Sequence, residues 1–268
     1  MVNGYYILMA LTSTETIASA IATRTFSPGV YNIEAAGTLA AGVIITLNGS
    51  GTYVFRFGAA LSMGANVSIV LQGGALASDV YWIAEGAIAI GANANIKGLF
   101  ISNSGAVDLA AGCTLEGKLL SINQGAISIS GSSVTNTSTS TAINWGLLSS
   151  FVIFCHGGVV SNAGASRIVG DIGTKDGNIT IASFYSATIT GEFRSAQQVS
   201  AIATFSVYQN GGLIANSRRT RYSTINTVDI SLQAIVTIAA GQVVDIRWSI
   251  DSGSITLKNR ILTIINVW

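Results

Sequence analysis

One short phrase recurs across residues 57–129 at a fixed interval, and that interval limits what the chain can fold into. Gly86-Ala-Ile-Ala-Ile90, Gly105-Ala-Val-Asp-Leu109 and Gly125-Ala-Ile-Ser-Ile129 start 19 and then 20 residues apart, and Ala59-Ala-Leu-Ser-Met63 is a looser copy. A second phrase, Ile96-Lys-Gly-Leu-Phe-Ile101, returns as Leu115-Glu-Gly-Lys-Leu-Leu120 after another 19 residues. Self-similarity at about 20 residues with strand-like alternation marks a solenoid, in which each turn stacks on the last. Alternation then sorts the side chains, because successive residues of a strand point to opposite faces. Leu61, Ile88, Val107 and Ile127 form one inward column and Met63, Ile90, Leu109 and Ile129 a second, while Ser62, Ala89, Asp108 and Ser128 point outward. The same register sets Lys97 beside Glu116 at the surface.

The rest of the chain agrees with an all-β architecture. Thirty Gly, a single Pro and abundant Ile, Val and Thr favour strands joined by tight turns. Residues 43–47, 53–57, 67–71 and 80–83 read as further strands, each bounded by Gly, Asn or Ser. Ser27-Pro28-Gly29 reads as a turn. Ahead of it, residues 5–22 hold a short helix with Tyr6, Met9 and Ala10 on one face. From about residue 195 the 20-residue period disappears. Residues 203–208, 228–232, 243–248 and 260–267 alternate cleanly around turn signals such as Asn210-Gly-Gly212, which predicts an antiparallel β-sandwich.

Charge is scarce and balanced, with 13 basic against 12 acidic residues, so nothing argues for nucleic acid or an anionic membrane as partner. No apolar run approaches the length of a membrane span. The opening segment lacks the basic start and the apolar length of a signal peptide, leaving a trimmed precursor or another export route. Cys113 and Cys155 are too few for a disulfide scaffold and read as small buried groups.

Pro28-Gly-Val-Tyr31, Gly51-Thr-Tyr-Val-Phe-Arg-Phe57, Val80-Tyr-Trp-Ile-Ala-Glu-Gly86, Lys97-Gly98 and Glu116-Gly-Lys-Leu-Leu120 follow one another in an order that resembles the microbial ice-binding-protein-like domain, over residues 5–135. The resemblance implies a right-handed β-helix of triangular section with an α-helix along one side. It also implies ice binding through a flat face of small hydroxyl- and methyl-bearing side chains. Two departures matter. A segment like Ser150-Phe-Val-Ile-Phe154, Gly158-Val-Val-Ser-Asn-Ala-Gly164 and Gly170-Asp-Ile-Gly173 normally opens that family, and here it follows the repeats. Either the domain is circularly permuted, or residues 150–193 are strands completed by a neighbouring molecule. The second departure is Asp108, a strongly hydrated group within the outward rank. The part after residue 195 is similar to half of a tumour-necrosis-factor or complement-type jelly roll.

Three regions follow: 1–145, the β-helix; 146–194, the displaced segment; and 195–268, the sandwich. Chemistry is sparse. His156 is the sole histidine, so no histidine-based metal cage exists. A Cys113–His156 nucleophile pair is conceivable only if folding brings them together. Asp79, Glu85, Asp108, Glu116, Asp171 and Asp176 scatter over different turns rather than pairing as a hydrolase needs. The chain therefore reads as a non-enzyme with neither metal nor cofactor. It is expected outside the cell or on a cell or particle surface, as a structural rod that associates with itself, with ice binding as the alternative. Ser62, Ala89 and Ser128 form the candidate surface-binding rank, and Arg218, Arg219 and Arg221 the candidate self-association contacts.

Overall fold

The computed structural model describes residues 2–136, 143, 145–175, 179–182, 188–191, 201–215, 217–223, 244–250 and 260–263. Parallel strands stack in register, three to a turn, so that the chain forms three faces. The first face runs through Glu15–Thr16, Gly29–Ile33, Tyr53–Phe57 and Val80–Ala84, and on through residues 99–102 and 118–121 to Phe151–Cys155 and Asp171–Thr174. The second comprises Ala20–Ile21, Gly37–Leu39, Leu61–Met63, Ile88–Ile90, Val107–Leu109, Ile127–Ser130, Val160–Ala163 and Ile179–Ala182. The third holds Arg24–Phe26, Ile44–Asn48, Ser68–Gln72, residues 95–97 and 114–116, Ser133–Thr135, Arg167–Val169 and Thr188–Gly191.

Long strands bend to serve two faces. Asn95–Ser102 and Thr114–Ser121 each pass from the third face to the first through a glycine at positive φ, Gly98 at 108° and Gly117 at 156°. A Cβ on Gly117 would lie 1.8 Å from the Gly98 carbonyl oxygen, so the corner closes only without a side chain.

Inside the stack, the inward columns expected from the alternation are in register. Leu61 pairs with Ile88, Ile88 with Val107 and Val107 with Ile127, all buried, and Met63, Ile90, Leu109 and Ile129 run parallel to them. A third column is aromatic. Trp82 stacks at 4.2 Å on Phe55 and at 5.8 Å on Phe100, nearly parallel to both, and Phe55 stacks in turn on Tyr31 at 5.2 Å. Burying each such side chain contributes roughly 1.5–3 kcal/mol, which offsets the ordering of a turn made largely of short, irregular corners. Cys113 and Cys155 are buried and free.

The helix is Val2–Ala10 and ends earlier than expected. Its buried side chains are Tyr5 and Leu8, not Tyr6, Met9 and Ala10: Tyr6 is 62% exposed. The segment is apolar all round, so sequence pattern could not select its inner side. Residues 15–16 and 20–21, in the stretch read as holding the short helix, form the first turn of the stack.

Residues 151–174 lie within the same stack. Phe151–Cys155 pairs with Thr114–Ser121, Val160–Ala163 with Ile127–Ser130, and Arg167–Val169 with Ser133–Thr135. Beyond residue 200 the described strands are antiparallel. Ala201–Gln209 pairs with Val244–Ile250 and Arg219–Ser223, and turns at Asn210 and Gly211, both at positive φ as a two-residue hairpin turn requires. Val244–Ile250 also pairs with Ile179–Ala182, and Arg260–Thr263 with Thr188–Gly191. The expected strand at 228–232 lies outside the described residues.

One buried cation ties the stack to the excursion between Ser133–Thr135 and Phe151–Cys155. Lys118 is 2% exposed. Its ammonium donates to the carbonyls of Ser149 at 2.5 Å, Phe151 at 2.7 Å and Leu148 at 3.4 Å. Burial pushes its pKa from 10.5 down to about 8, against the opposing pull of the Asp171 carboxylate. Between those values the unfolded chain binds more protons than the folded one, so stability rises with pH across that window. Unfolding by urea, followed from pH 7.5 to 10, should show wild type gaining stability relative to Lys118→Met as pH rises; parallel profiles would contradict this reading.

Candidate binding face

The three faces differ in what they leave outside. On the first, Val54, Tyr81, Ile83, Leu99, Ile101 and Leu120 point outward but are buried beneath the helix residues Tyr5 and Leu8 and beneath Ile143, Trp145 and Leu148. Polar contacts fasten that cover. Tyr5 donates to Glu85 Oε1 at 2.5 Å, Asn103 donates to Glu85 Oε2 at 2.7 Å, and Arg56 donates to the Met9 carbonyl at 2.7 Å. Glu85 is thus used in attaching the helix.

Among the described residues nothing covers the third face, which is mixed. One outward rank runs Ile44, Ser68, Asn95, Thr114, Ser133, Arg167, and its neighbour contains Thr46, Val70, Lys97, Glu116, Thr135 and Val169. Lys97 and Glu116 form the expected pair, with Nζ donating to Oε2 at 3.0 Å.

Among the described residues nothing covers the second face, which is nearly uniform. Its central rank runs Ala20, Thr38, Ser62, Ala89, Asp108, Ser128, Ser161, each in direct register with the next. Ser62, Ala89 and Ser128 therefore lie on one line, as expected from the repeat. Two flanking ranks went unnoticed in the sequence. Ala36, Ala60, Ala87, Ala106 and Ala126 form one of them. Their alignment follows from the hydrogen bonds Gly37 N to Ala60 O, Leu61 N to Ala87 O, Ile88 N to Ala106 O and Val107 N to Ala126 O. Ala40, Gly64, Gly91, Ala110 and Ser130 form the other, held by bonds such as Gly64 N to Leu39 O and Gly91 N to Met63 O. From Ala36 to Ser130 these ranks present Ala, Gly, Ser and Thr, with Asp108 the one exception. The signal was the small doublet that opens each phrase: Ala59-Ala60, Gly86-Ala87, Gly105-Ala106, Gly125-Ala126.

Stacked strands set successive members of a rank about 4.8 Å apart along the stack, and neighbouring ranks, two residues apart on each strand, lie about 6.6 Å apart across it. The result is a shallow grid of methyl and hydroxyl groups. Asp108 is exposed, and Ser128 Oγ donates to its Oδ1.

Nothing chemical converges here. Cys113 donates to the Gly91 carbonyl at 3.1 Å and Cys155 to the Gly125 carbonyl at 2.9 Å, both inside the stack, and burial raises the pKa of each thiol. The recorded side-chain partner of His156 is Lys175, at 3.3 Å, so the Cys113–His156 pair is not formed. Among the described residues no group of three His, Cys, Asp or Glu could hold a metal ion, and no helix is long and apolar enough to cross a membrane. Arg219 and Arg221 lie on a strand paired with Ala201–Gln209, and Arg218 precedes it, exposed. Asp176 falls outside the described residues.

A family model described as ice-binding-like matches residues 1–144. An ice-binding protein of Flavobacterium frigoris (strain PS1) is 29% identical over 120 residues, which are 44% of this chain and 42% of that protein. Ice-binding protein 1 of Shewanella frigidimarina (strain NCIMB 400) is 35% identical over 103 residues, 37% of this chain and 11% of that protein. Among solved structures, an ice binding protein from an Antarctic bacterium of the Flavobacteriaceae is 30% identical, with 68% of this chain and 47% of that chain covered and a TM-score of 0.46. The chain thus spans less than half the length of these curated relatives.

Since both thiols are free and buried, Ellman's reagent should find two reactive thiols after denaturation without reductant and almost none in the folded protein. A single thiol, or none, in the denatured chain would mean that the cysteines have paired.

Proposed function

From the premise that this chain belongs to the ice-binding-like family, whose model matches residues 1–144, we propose that it binds ice through the second face of its solenoid. The observation carrying the proposal is the grid of small side chains between Ala36 and Ser130, extended over five consecutive turns and fixed by backbone pairing. A crystalline surface repeats in two dimensions, so a complement to it must be flat, regular and rigid. Small groups on stacked strands meet all three needs. Each methyl or hydroxyl contributes little alone, but the grid is ordered before it binds, and little conformational entropy remains to be lost. The third face lacks this uniformity, since Lys97, Glu116 and Arg167 carry hydration shells into its ranks.

Asp108 is the weak point of the surface, and its bond from Ser128 Oγ keeps the carboxylate within the rank. On this reading Ser62, Ala89 and Ser128 are contact residues, joined by Thr38 and the alanine rank. The chain would act outside the cell or at a surface, where ice is met, with no catalytic step.

Self-association into a rod, the reading the sequence placed first, ranks second. One of its supports was a displaced segment in need of a neighbour, and Phe151–Cys155, Val160–Ala163 and Arg167–Val169 pair within this chain. The antiparallel strands beyond residue 200 we take to belong to the sandwich, with Arg218, Arg219 and Arg221 as the proposed self-association contacts of that region.

Thermal hysteresis and ice-crystal shaping provide the test. Wild type should show both, Ala89→Tyr should fall to the level of buffer, Asp108→Ala should exceed wild type, and Lys97→Ala should match it. Absence of hysteresis and shaping in folded wild type removes the proposal; loss in Lys97→Ala with retention in Ala89→Tyr moves the site to the third face.

A further inference from the structure

Two inward columns of the stack change character at its first turn. One runs Ile153, Leu119, Phe100, Trp82, Phe55, Tyr31, apolar or aromatic at every turn, and its last position is Glu15. Another contains Ile168, Val134, Leu115, Ile96, Ile69 and Ile45, all buried, and its last position is Arg24. The two charged residues meet across the end of the stack. Arg24 Nη2 donates to Glu15 Oε2 at 2.7 Å and Oε1 at 3.0 Å, and the guanidinium sits 4.6 Å from the centre of the Phe26 ring. Beneath them lies an open depression lined by Ile17, Ala20, Ile21 and Phe26.

This end is where the solenoid is vulnerable. Among the described residues, Glu15–Thr16, Ala20–Ile21 and Arg24–Phe26 each pair on one side alone, leaving three strand edges open. At the far end, by contrast, Val244–Ile250 and Arg260–Thr263 pair antiparallel with the last strands of the second and third faces. Open edges over an apolar interior invite pairing with another chain, and inward-pointing charges are one way to prevent it. A second copy's first turn is the matching occupant: the same three edges related by a two-fold axis are self-complementary, while at the far end two of the three faces already carry antiparallel partners.

We propose that Glu15 and Arg24 form a charged lid over the open end of the stack, and that this lid keeps the first turn from pairing with the first turn of a second copy. Arg24 borders the depression, and the pair places two charges where a partner would have to desolvate them. Its action is independent of ice binding, because the second face points sideways from the stack and the lid closes its end.

The test is the mass in solution by light scattering after size exclusion, with circular dichroism to establish folding. Glu15→Tyr with Arg24→Ile, which extends both columns by one residue, should shift the protein from one chain to two at micromolar concentration. The exchanged pair, Glu15→Arg with Arg24→Glu, should stay a single chain, as should wild type. If the first double variant does not fold, Glu15→Gln with Arg24→Gln removes both charges without adding apolar bulk and should dimerise as well. A folded, charge-free variant that remains one chain overturns the proposal, and so does a wild type that is itself a dimer through its first turn.

Discussion

Vertical contact between identical positions of successive turns holds this structure together, and the rest follows from it. Trp82 has Phe55 on one side and Phe100 on the other, and Ile88 has Leu61 and Val107. Each layer supplies half of its neighbour's apolar surroundings, so no turn is stable alone and all turns share one register. A one-residue slip would turn the apolar set outward along the whole stack. The interior therefore specifies the exterior: once the columns are aligned, outward residues are aligned as well.

That coupling gives the three faces their roles. The first face carries a second layer of apolar residues outward, and the helix and the Trp145 segment cover it. The third carries charges in register, which can pair with one another, as Lys97 and Glu116 do, but cannot form a uniform plane. The second retains small side chains with few conformations of their own, Asp108 excepted. At the corner leaving this face, Asn66 and Asn93 hold φ values of 60° and 58° in the left-handed region, alongside the corner glycines Gly42 and Gly112 at 73° and 74°. Repeating one corner geometry keeps the strands between corners equally long, and equal strands make a flat face.

Much of this could be read from the chain because the repeat is local in sequence. An interval of 19 or 20 residues, together with alternation, was sufficient to place the columns, the outward rank and the Lys97–Glu116 pair. What escaped depends on contacts that no interval encodes. The helix is apolar on every side, so only the docked structure reveals that Leu8 faces inward and Tyr6 outward. Residues 151–174 resume the stack after an interruption, and nothing local says which edge they rejoin. Glu15 and Arg24 resemble ordinary surface charges until register places them at the heads of two apolar columns. The alanine ranks were overlooked for a different reason: Ala and Gly at the start of each phrase read as turn residues, and only the continued ladder through Ala60, Ala87 and Ala106 makes them part of a face.

A single hydrated group tests how strict the requirement for uniformity is. Asp108 lies between Ala89 and Ser128 in the central rank, and its carboxylate already accepts a bond from the Ser128 hydroxyl. A carboxylate so bonded retains a strong preference for water, and removing that water for a rigid solid is costly. The flanking alanines on both sides remain unaffected, since Ala87, Ala106 and Ala126 lie in their own rank two residues away along each strand. The face thus divides into an uninterrupted methyl rank and a central rank broken at one position. On the proposed reading, contact strength should depend on how many turns on the Ala89 side of Asp108 can act together, and the uninterrupted run from Thr38 through Ser62 to Ala89 is where a flat solid would fit first.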